Sequence, residues 1–239
     1  DGTPIWAKRN IDGPGIWATC VKGKEKQAIG ELYELFDSLA SDLWPTDATT
    51  TKWEESDEED LSIEVQIAKE LAHIKRPRAQ QRFRNCQTNT QCLLFIACSP
   101  PVDPVTLVVQ HMRSIQNSGI TRTRYAQRLV PASGTCVTNL PEIQALCRKV
   151  IGEFFSQREG KSYKYKIELR IRNHTTLKRP VLIESIAQCM PSGHTVDLSD
   201  PDVFVLVEIF KSICSVSVVE DYYRLRKFNV AEVGSSASA

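Results

Sequence analysis

The chain has 239 residues, 41% of them hydrophobic and 25% charged, with 30 Lys and Arg against 29 Asp and Glu. That composition excludes collagen-like, coiled-coil and wholly disordered chains, and the length suffices for one large domain or two small ones with their own cores. No apolar run approaches the ~18 residues of a membrane helix, and no signal-peptide pattern opens the chain, so no membrane partner is expected. The net charge of +1 would argue against nucleic acid, were it not an average. Residues 1–63 hold 6 basic and 14 acidic side chains (−8), residues 64–131 hold 10 and 3 (+7), and residues 132–239 hold 14 and 12 (+2).

Ile16–Cys20 reads as a strand, followed by a helix from about Lys24 to Asp42 with Ile29, Leu32, Phe36, Leu39 and Ala40 on one face. Much of the negative charge sits in Glu54-Glu-Ser-Asp-Glu-Glu-Asp60, where mutual repulsion dictates a solvated loop. Ile63, Ile67, Leu71 and Ile74 then recur at helical spacing. Arg82–Gln87 and Gln91–Cys98 flank Thr88-Asn-Thr90 as a hairpin, and the continuous apolar run Cys92–Cys98 suits a central strand. Asp103-Pro104 is a helix start, Gly119 a stop, and Arg124–Pro131 a closing strand. Strand, helix, (extra helix), strand, strand, helix, strand is the split βαβ plan of a ferredoxin-like domain.

Ala132-Ser-Gly-Thr135 has the composition of a linker. A long amphipathic helix follows from about Asn139 to Arg158, ended by Gly160. Next come a strand over 163–172, a helix from about Lys178 to Met190, and buried strands near Val203–Lys211 and Ile213–Glu220. The small residues of Gly234–Ala239 read as a frayed tail. Eight cysteines fall mostly in apolar periodic segments, none in a C-x-x-C pair, so they are expected to be reduced, buried thiols of an intracellular protein rather than metal ligands.

The strand Tyr163–Arg172 carries the most information. Tyr163, Tyr165, Ile167, Leu169 and Ile171 point one way; Lys164, Lys166, Glu168, Arg170 and Arg172 point the other. Four cations in a row ~26 Å long fit a phosphate backbone, although an edge strand also carries Lys to prevent aggregation. Lys161 precedes the strand, and Lys178 and Arg179 open the next helix, whose N-terminal N–H groups favour an anion. Arg224, Arg226 and Lys227 alternate with Tyr222, Tyr223 and Phe228, aromatics that either stack on bases or pack in the core. Catalytic patterns are lacking. Gly13-Pro-Gly15 is not a dinucleotide fingerprint, and no phosphate-binding loop, nucleophile elbow or deaminase pattern occurs. Ser192, His194 and Asp197 lie together as turn residues.

The block Val196-Asp-Leu-Ser-Asp-Pro-Asp-Val-Phe-Val-Leu-Val-Glu-Ile-Phe-Lys211, with Ser215-Val-Ser-Val-Val219 and Asp221-Tyr222 after it, resembles a THUMP domain. Gly13-Pro-Gly-Ile-Trp-Ala-Thr-Cys20, Arg170-Ile-Arg-Asn173 and Arg226-Lys-Phe-Asn229 agree with the THUMP-domain adaptors of tRNA acetylation, over nearly the whole chain. The resemblance implies an α+β architecture: an N-terminal ferredoxin-like domain over 1–131 with an acidic insertion at 45–60, a THUMP domain over 136–230, and a flexible tail over 231–239. It also implies a non-catalytic adaptor that binds the acceptor stem and 3′ end of tRNA. Its partner would be a separate RNA cytidine acetyltransferase, which forms N4-acetylcytidine in the D-arm of serine and leucine tRNAs. Acetyl-CoA and ATP are expected on that enzyme only, so this chain is expected to need no cofactor. A monomer in the nucleus or nucleolus is expected. The RNA-binding residues would be Lys161, Lys164, Lys166, Arg170, Arg172, Asn173, Lys178, Arg179, Arg224, Arg226 and Lys227. THUMP proteins that carry a fused enzyme domain suggest the alternative, an N-terminal portion of a longer tRNA-modifying enzyme such as a methyltransferase. The chain ends a few residues after the THUMP block, which favours the adaptor.

Overall fold

The structure is a computed structural model and describes residues 11–45, 81–158 and 160–237. The acidic run and the helical pattern from Ile63 to Ile74 lie outside the described residues.

The first unit follows the expected order: β1 (Gly15–Cys20), α1 (Glu25–Leu43), β2 (Phe83–Cys86), β3 (Leu93–Cys98), α2 (Pro104–Ser118) and β4 (Ala126–Ala132). Its sheet has the order β2-β3-β1-β4 with every pairing antiparallel, the split βαβ arrangement. Local chemistry sets the element ends. The Asp103 carboxylate accepts from the Thr106 N–H, Pro104 fixes the first turn of α2, and Gly119 closes it at φ 70°. β3 lies between two strands and is buried at every position, as its unbroken apolar run requires.

The second unit comprises β5 (Gly134–Val137), α3 (Leu140–Ser156), β6 (Lys164–Arg172), α4 (Arg179–Ala187), β7 (Thr195–Val196), β8 (Val203–Phe210) and β9 (Ile213–Glu220). A 3₁₀ turn (Arg226–Phe228) and α5 (Val230–Ala237) complete the described chain. The sheet order is β5-β9-β8-β6-β7, mixed because β6 runs parallel to both β8 and β7. Asn139 caps α3 by accepting from the Glu142 N–H.

Two expectations fail. The segment 132–135 is not a linker: the Ser133 N–H donates to Val216 O, and Gly134–Val137 pairs with β9, so β4 passes into β5 across one residue. Gly134 packs close under α3, where a Cβ would stand 2.8 Å from the Leu146 Cδ1 methyl and that side chain would have to shift. Nor is 231–239 a flexible tail as far as it is described. Val230 and Val233 of α5 are buried, and Gly234 lets the helix approach α2 and its following loop, where a Cβ would meet Thr121 at 2.9 Å.

The two sheets face one another. Residues opposite in register share a face, which places Trp17, Thr19, Phe95, Arg128 and Val130 together on the first sheet. On the second sheet, Phe204, Leu206 and Phe210 look back at them, in one apolar cluster that includes Trp17, Phe95, Val130, Tyr222 and Phe228, and Glu208 shares their face. The odd-numbered β8 residues Val203, Val205, Val207 and Ile209 face α3 and α4 in a separate core. Within the seam the Trp17 indole N–H donates to the Ser215 hydroxyl at 2.8 Å, and its ring meets Phe95 and Phe210 edge-on. The Ser217 hydroxyl donates to Pro131 O at 2.8 Å; at the rim, the exposed Lys211 donates its ammonium to Thr88 O at 2.9 Å, while Trp17 and Ser217 are buried. Polar groups this deep in a seam are stable only when paired.

Candidate nucleic-acid interface

The alternation read from Tyr163–Arg172 is realised in β6, with the apolar set against α3 and α4. The parallel register sets Lys166 beside Phe204, Glu168 beside Leu206, Arg170 beside Glu208 and Arg172 beside Phe210. The cationic side of the strand is therefore the side that faces the first unit, at the margin of the seam. β7 pairs with β6 only at Lys164 and Tyr165, so beyond them the outer edge of β6 is open to Arg179, whose guanidinium donates to Leu169 O at 2.8 Å.

Each strand cation except Arg172 has an acidic partner. Lys164 is 53% exposed and stands 3.1 Å from Asp197. The backbone N–H groups of Asp200 and Ser199, then Lys164 itself, hold the Asp197 carboxyl at about 2; the hydrogen bond to Asp197 in turn raises the Lys164 ammonium. Lys166, 21% exposed, reaches Leu198 O at 3.1 Å and Glu168 at 3.6 Å. Glu168 also receives the Tyr223 hydroxyl, while the Lys166 and Lys227 ammoniums lie 5.0 and 5.1 Å from the Tyr223 ring centre. Arg170 pairs at 3.6 Å with Glu208, a side chain only 12% exposed. Burial raises the Glu208 carboxyl, against the opposing pull of Arg170, Arg172 and Arg128.

The predicted aromatics divide. Tyr222 and Phe228 are core residues, whereas Tyr223 is half-buried and belongs to the cationic group. Arg226, Lys227 and Phe228 all have positive φ, a left-handed turn that costs non-glycine residues roughly 1–2 kcal/mol each. It buries Phe228 while leaving Arg226 and Lys227 exposed. Arg226 donates to the Ser236 hydroxyl at 3.0 Å, and Arg224 is 78% exposed beside Asp221 at 3.1 Å.

Other predicted residues are not gathered onto this face. Asn173 is exposed at φ 53° in the turn after β6. Lys178 and Arg179 are exposed at the start of α4, which packs on the opposite side of the sheet through Leu182 and Ile186. Lys161, 4.8 Å from the Tyr163 ring centre, lines a groove with Arg158 and His194. Ser192, His194 and Asp197 form no triad: the His194 Nδ1 accepts from the Tyr163 N–H and its ring stacks on Phe155 at 4.0 Å. No three His, Cys, Asp or Glu residues cluster as metal ligands among the described residues, and no disulfide joins the cysteines. Arg128 and Glu208 were not singled out as site residues by sequence; their signal is the register across strands, which periodicity along one strand does not carry.

The THUMP domain model matches residues 137–219, from the end of β5 to the end of β9, which makes this a THUMP-domain protein. The tRNA acetyltransferase TAN1 of Saccharomyces cerevisiae is 31% identical over 245 residues, covering 93% of this chain and 85% of that protein. THUMP domain-containing protein 1 of Bos taurus is 29% identical, over 93% of this chain and 64% of that protein. The chain belongs to the THUMP-domain tRNA acetyltransferase adaptor family. The crystal structure of PH1313 from Pyrococcus horikoshii shares the fold, with a TM-score of 0.50 over 87% of this chain and 54% of that one at 8% identity.

Proposed function

We propose that this chain is a non-catalytic adaptor that binds tRNA and presents it to a separate RNA cytidine acetyltransferase for N4-acetylcytidine formation in the D-arm. Serine and leucine tRNAs are the proposed substrates, and the proposed setting is the nucleus. The observation that carries the reading is the 31% identity to a protein named for tRNA acetylation, extending over 93% of this chain. The cationic margin of β6 is consistent with it. Lys164, Lys166, Arg170 and Arg172 would meet phosphates and 2′-hydroxyls, the groups that RNA recognition by shape relies on. Lys227, with Arg224 and Arg226 more remote, would extend that surface, and Lys161, Asn173, Lys178 and Arg179 would contact RNA that wraps past the open edge of β6. No cofactor is proposed on this chain. The division into domains at 1–131 and 136–230 stands as a proposal.

Reconstitution tests this. Serine and leucine tRNAs, the acetyltransferase, acetyl-CoA and ATP are combined with and without this chain, and N4-acetylcytidine is counted by nucleoside mass spectrometry. Acetylation is expected only when the chain is present. Full acetylation in its absence would remove the adaptor reading.

A further inference from the structure

Three guanidiniums converge on one carboxylate where the two units meet. Arg170 and Arg172 come from β6, Arg128 from β4 of the first unit, and Glu208 from β8; all four line one cleft with Trp17, Thr19, Val130 and Phe210. Thr19 and Arg128 are opposite in register on the first sheet, and Arg170 and Glu208 on the second, so the cleft is walled by both. The charges do not balance. Glu208 takes only the Arg170 guanidinium at ion-pair distance, and the Arg128 Nε is buried with no hydrogen-bond partner among the described residues. Arg172 likewise makes no ion pair among them. One buried carboxylate against three permanently charged side chains leaves an excess of about two positive charges, and arginine cannot relieve it by losing a proton.

We infer that Arg128, Arg170 and Arg172 hold one RNA phosphate at the mouth of this cleft, so that both units grip the same backbone. Planar guanidiniums match phosphate oxygens two bonds at a time. The inner end of the cleft has room for little more than a water, which places the phosphate at the mouth, beside the Arg170 side chain that is 26% exposed. This rests on the tRNA reading and adds to it Arg128, a residue of the N-terminal unit that no single-strand pattern marks. It also turns the seam from a structural joint into part of the binding surface.

The test uses the full chain in tRNA titrations by fluorescence anisotropy, from about 0.05 to 0.3 M salt, where each lost phosphate contact removes about 0.7–0.9 from the slope of log K against log salt. Arg128→Gln is expected to weaken binding about 4- to 5-fold at 0.15 M salt by that relation, and to reduce the slope by that one contact. Glu208→Gln, which removes the competing carboxylate, is expected to tighten binding. If Arg128→Gln unfolds, the outcome of Glu208→Gln decides. Unchanged affinity in both variants, with Lys164→Gln weakening binding, overturns the phosphate site and leaves the tRNA reading standing. Normal tRNA binding by Arg128→Gln with loss of acetylation would assign the cluster to a protein partner and overturn it too. No tRNA binding by the unaltered chain removes the reading and the site together.

Discussion

Asp197→Asn separates a phosphate-binding strand from a merely protected edge. Asp197 neutralises Lys164 at 3.1 Å and is ionised at any working pH, its carboxyl held at about 2. Asparagine keeps the side-chain oxygen that accepts from the Ser199 and Asp200 N–H groups at 2.9 Å, so the turn survives while the charge goes. Lys164 would then offer a full positive charge to RNA. One additional neutralised phosphate steepens the salt slope by about 0.7–0.9, which is about 4- to 5-fold in affinity at 0.15 M salt and roughly 8- to 15-fold at 0.05 M. Lys164→Gln is expected to weaken binding by at least that factor, since it leaves Asp197 facing the backbone. In the double variant the gain from Asp197→Asn should vanish. The same bookkeeping revises the expected slope of the unaltered chain: Lys164, Lys166, Arg170, Arg172, Lys227 and Arg128 stand against Asp197, Glu168 and Glu208, an excess of three. That points to a slope of about −2 to −3, shallower than the −3 to −4 that four unpaired contacts on the strand would give. Anisotropy titrations at several salt concentrations measure both quantities. Unchanged affinity and slope in Asp197→Asn would refute the placement of Lys164 on RNA.

Arg170→Gln removes the one ion pair of the largely buried Glu208 carboxylate while Arg128 and Arg172 remain beside it, and should cost about 1–3 kcal/mol of stability; a urea midpoint equal to that of Lys164→Gln would contradict this. Trp17→Phe removes the indole donor to Ser215 inside the seam and should cost about 1–3 kcal/mol, read as a lower urea midpoint with an unchanged far-ultraviolet spectrum. His111 is buried, with neither ring nitrogen partnered among the described residues; burial first, then Arg122, lowers it to about 4 from an ordinary 6.5. The unfolded chain therefore binds the proton more readily between those values: the neutral imidazole's stability is complete above pH 6.5 and is lost as pH falls, by about 2 kcal/mol at pH 5. His111→Leu should remove that part of the acid sensitivity, and identical pH–stability profiles for the two proteins would refute it.

The elements that could be read in the sequence are those whose causes are local. Asp103, Pro104, Gly119 and Asn139 act within four residues of themselves, and each sits at the helix end it was expected to mark. β6 was legible for the same reason, since alternation along one strand assigns its two faces. What lies opposite those faces was not legible. Arg128 comes from forty-two positions before Arg170, and Glu208 and Asp197 reach the strand through parallel pairing and a loop. Small residues misled for a related reason. Gly134 and Gly234 have the composition of linkers and tails, but a missing Cβ also permits close approach, and only the position of Leu146 or Thr121 tells the two uses apart. The aromatic run at 222–228 was ambiguous because a left-handed turn, which no residue in it favours, decides which rings go inward.

If the cations bind RNA as proposed, their place at the margin of the seam, not on a free surface, would couple RNA affinity to the docking of the two units. Glu208 and Glu168 hold Arg170 and Lys166 in position before any RNA arrives, at the cost of part of the charge that RNA could use. A freely exposed strand would show a steeper salt dependence, but its long side chains would have to be ordered on binding, each at roughly 0.5–1.5 kcal/mol. Preorganised cations exchange some long-range attraction for that entropy. On the proposed reading, the Trp17–Ser215 and Ser217–Pro131 hydrogen bonds would matter to RNA as well as to stability, because they join the sheet that carries Arg128 to the sheet that carries Arg170. A seam substitution that leaves the chain folded, such as Ser217→Ala, should therefore weaken tRNA binding with all the cations present. The overall charge of +1 is blind to this, since it weighs the acidic run and the seam alike; position within the fold decides which charges an RNA backbone meets.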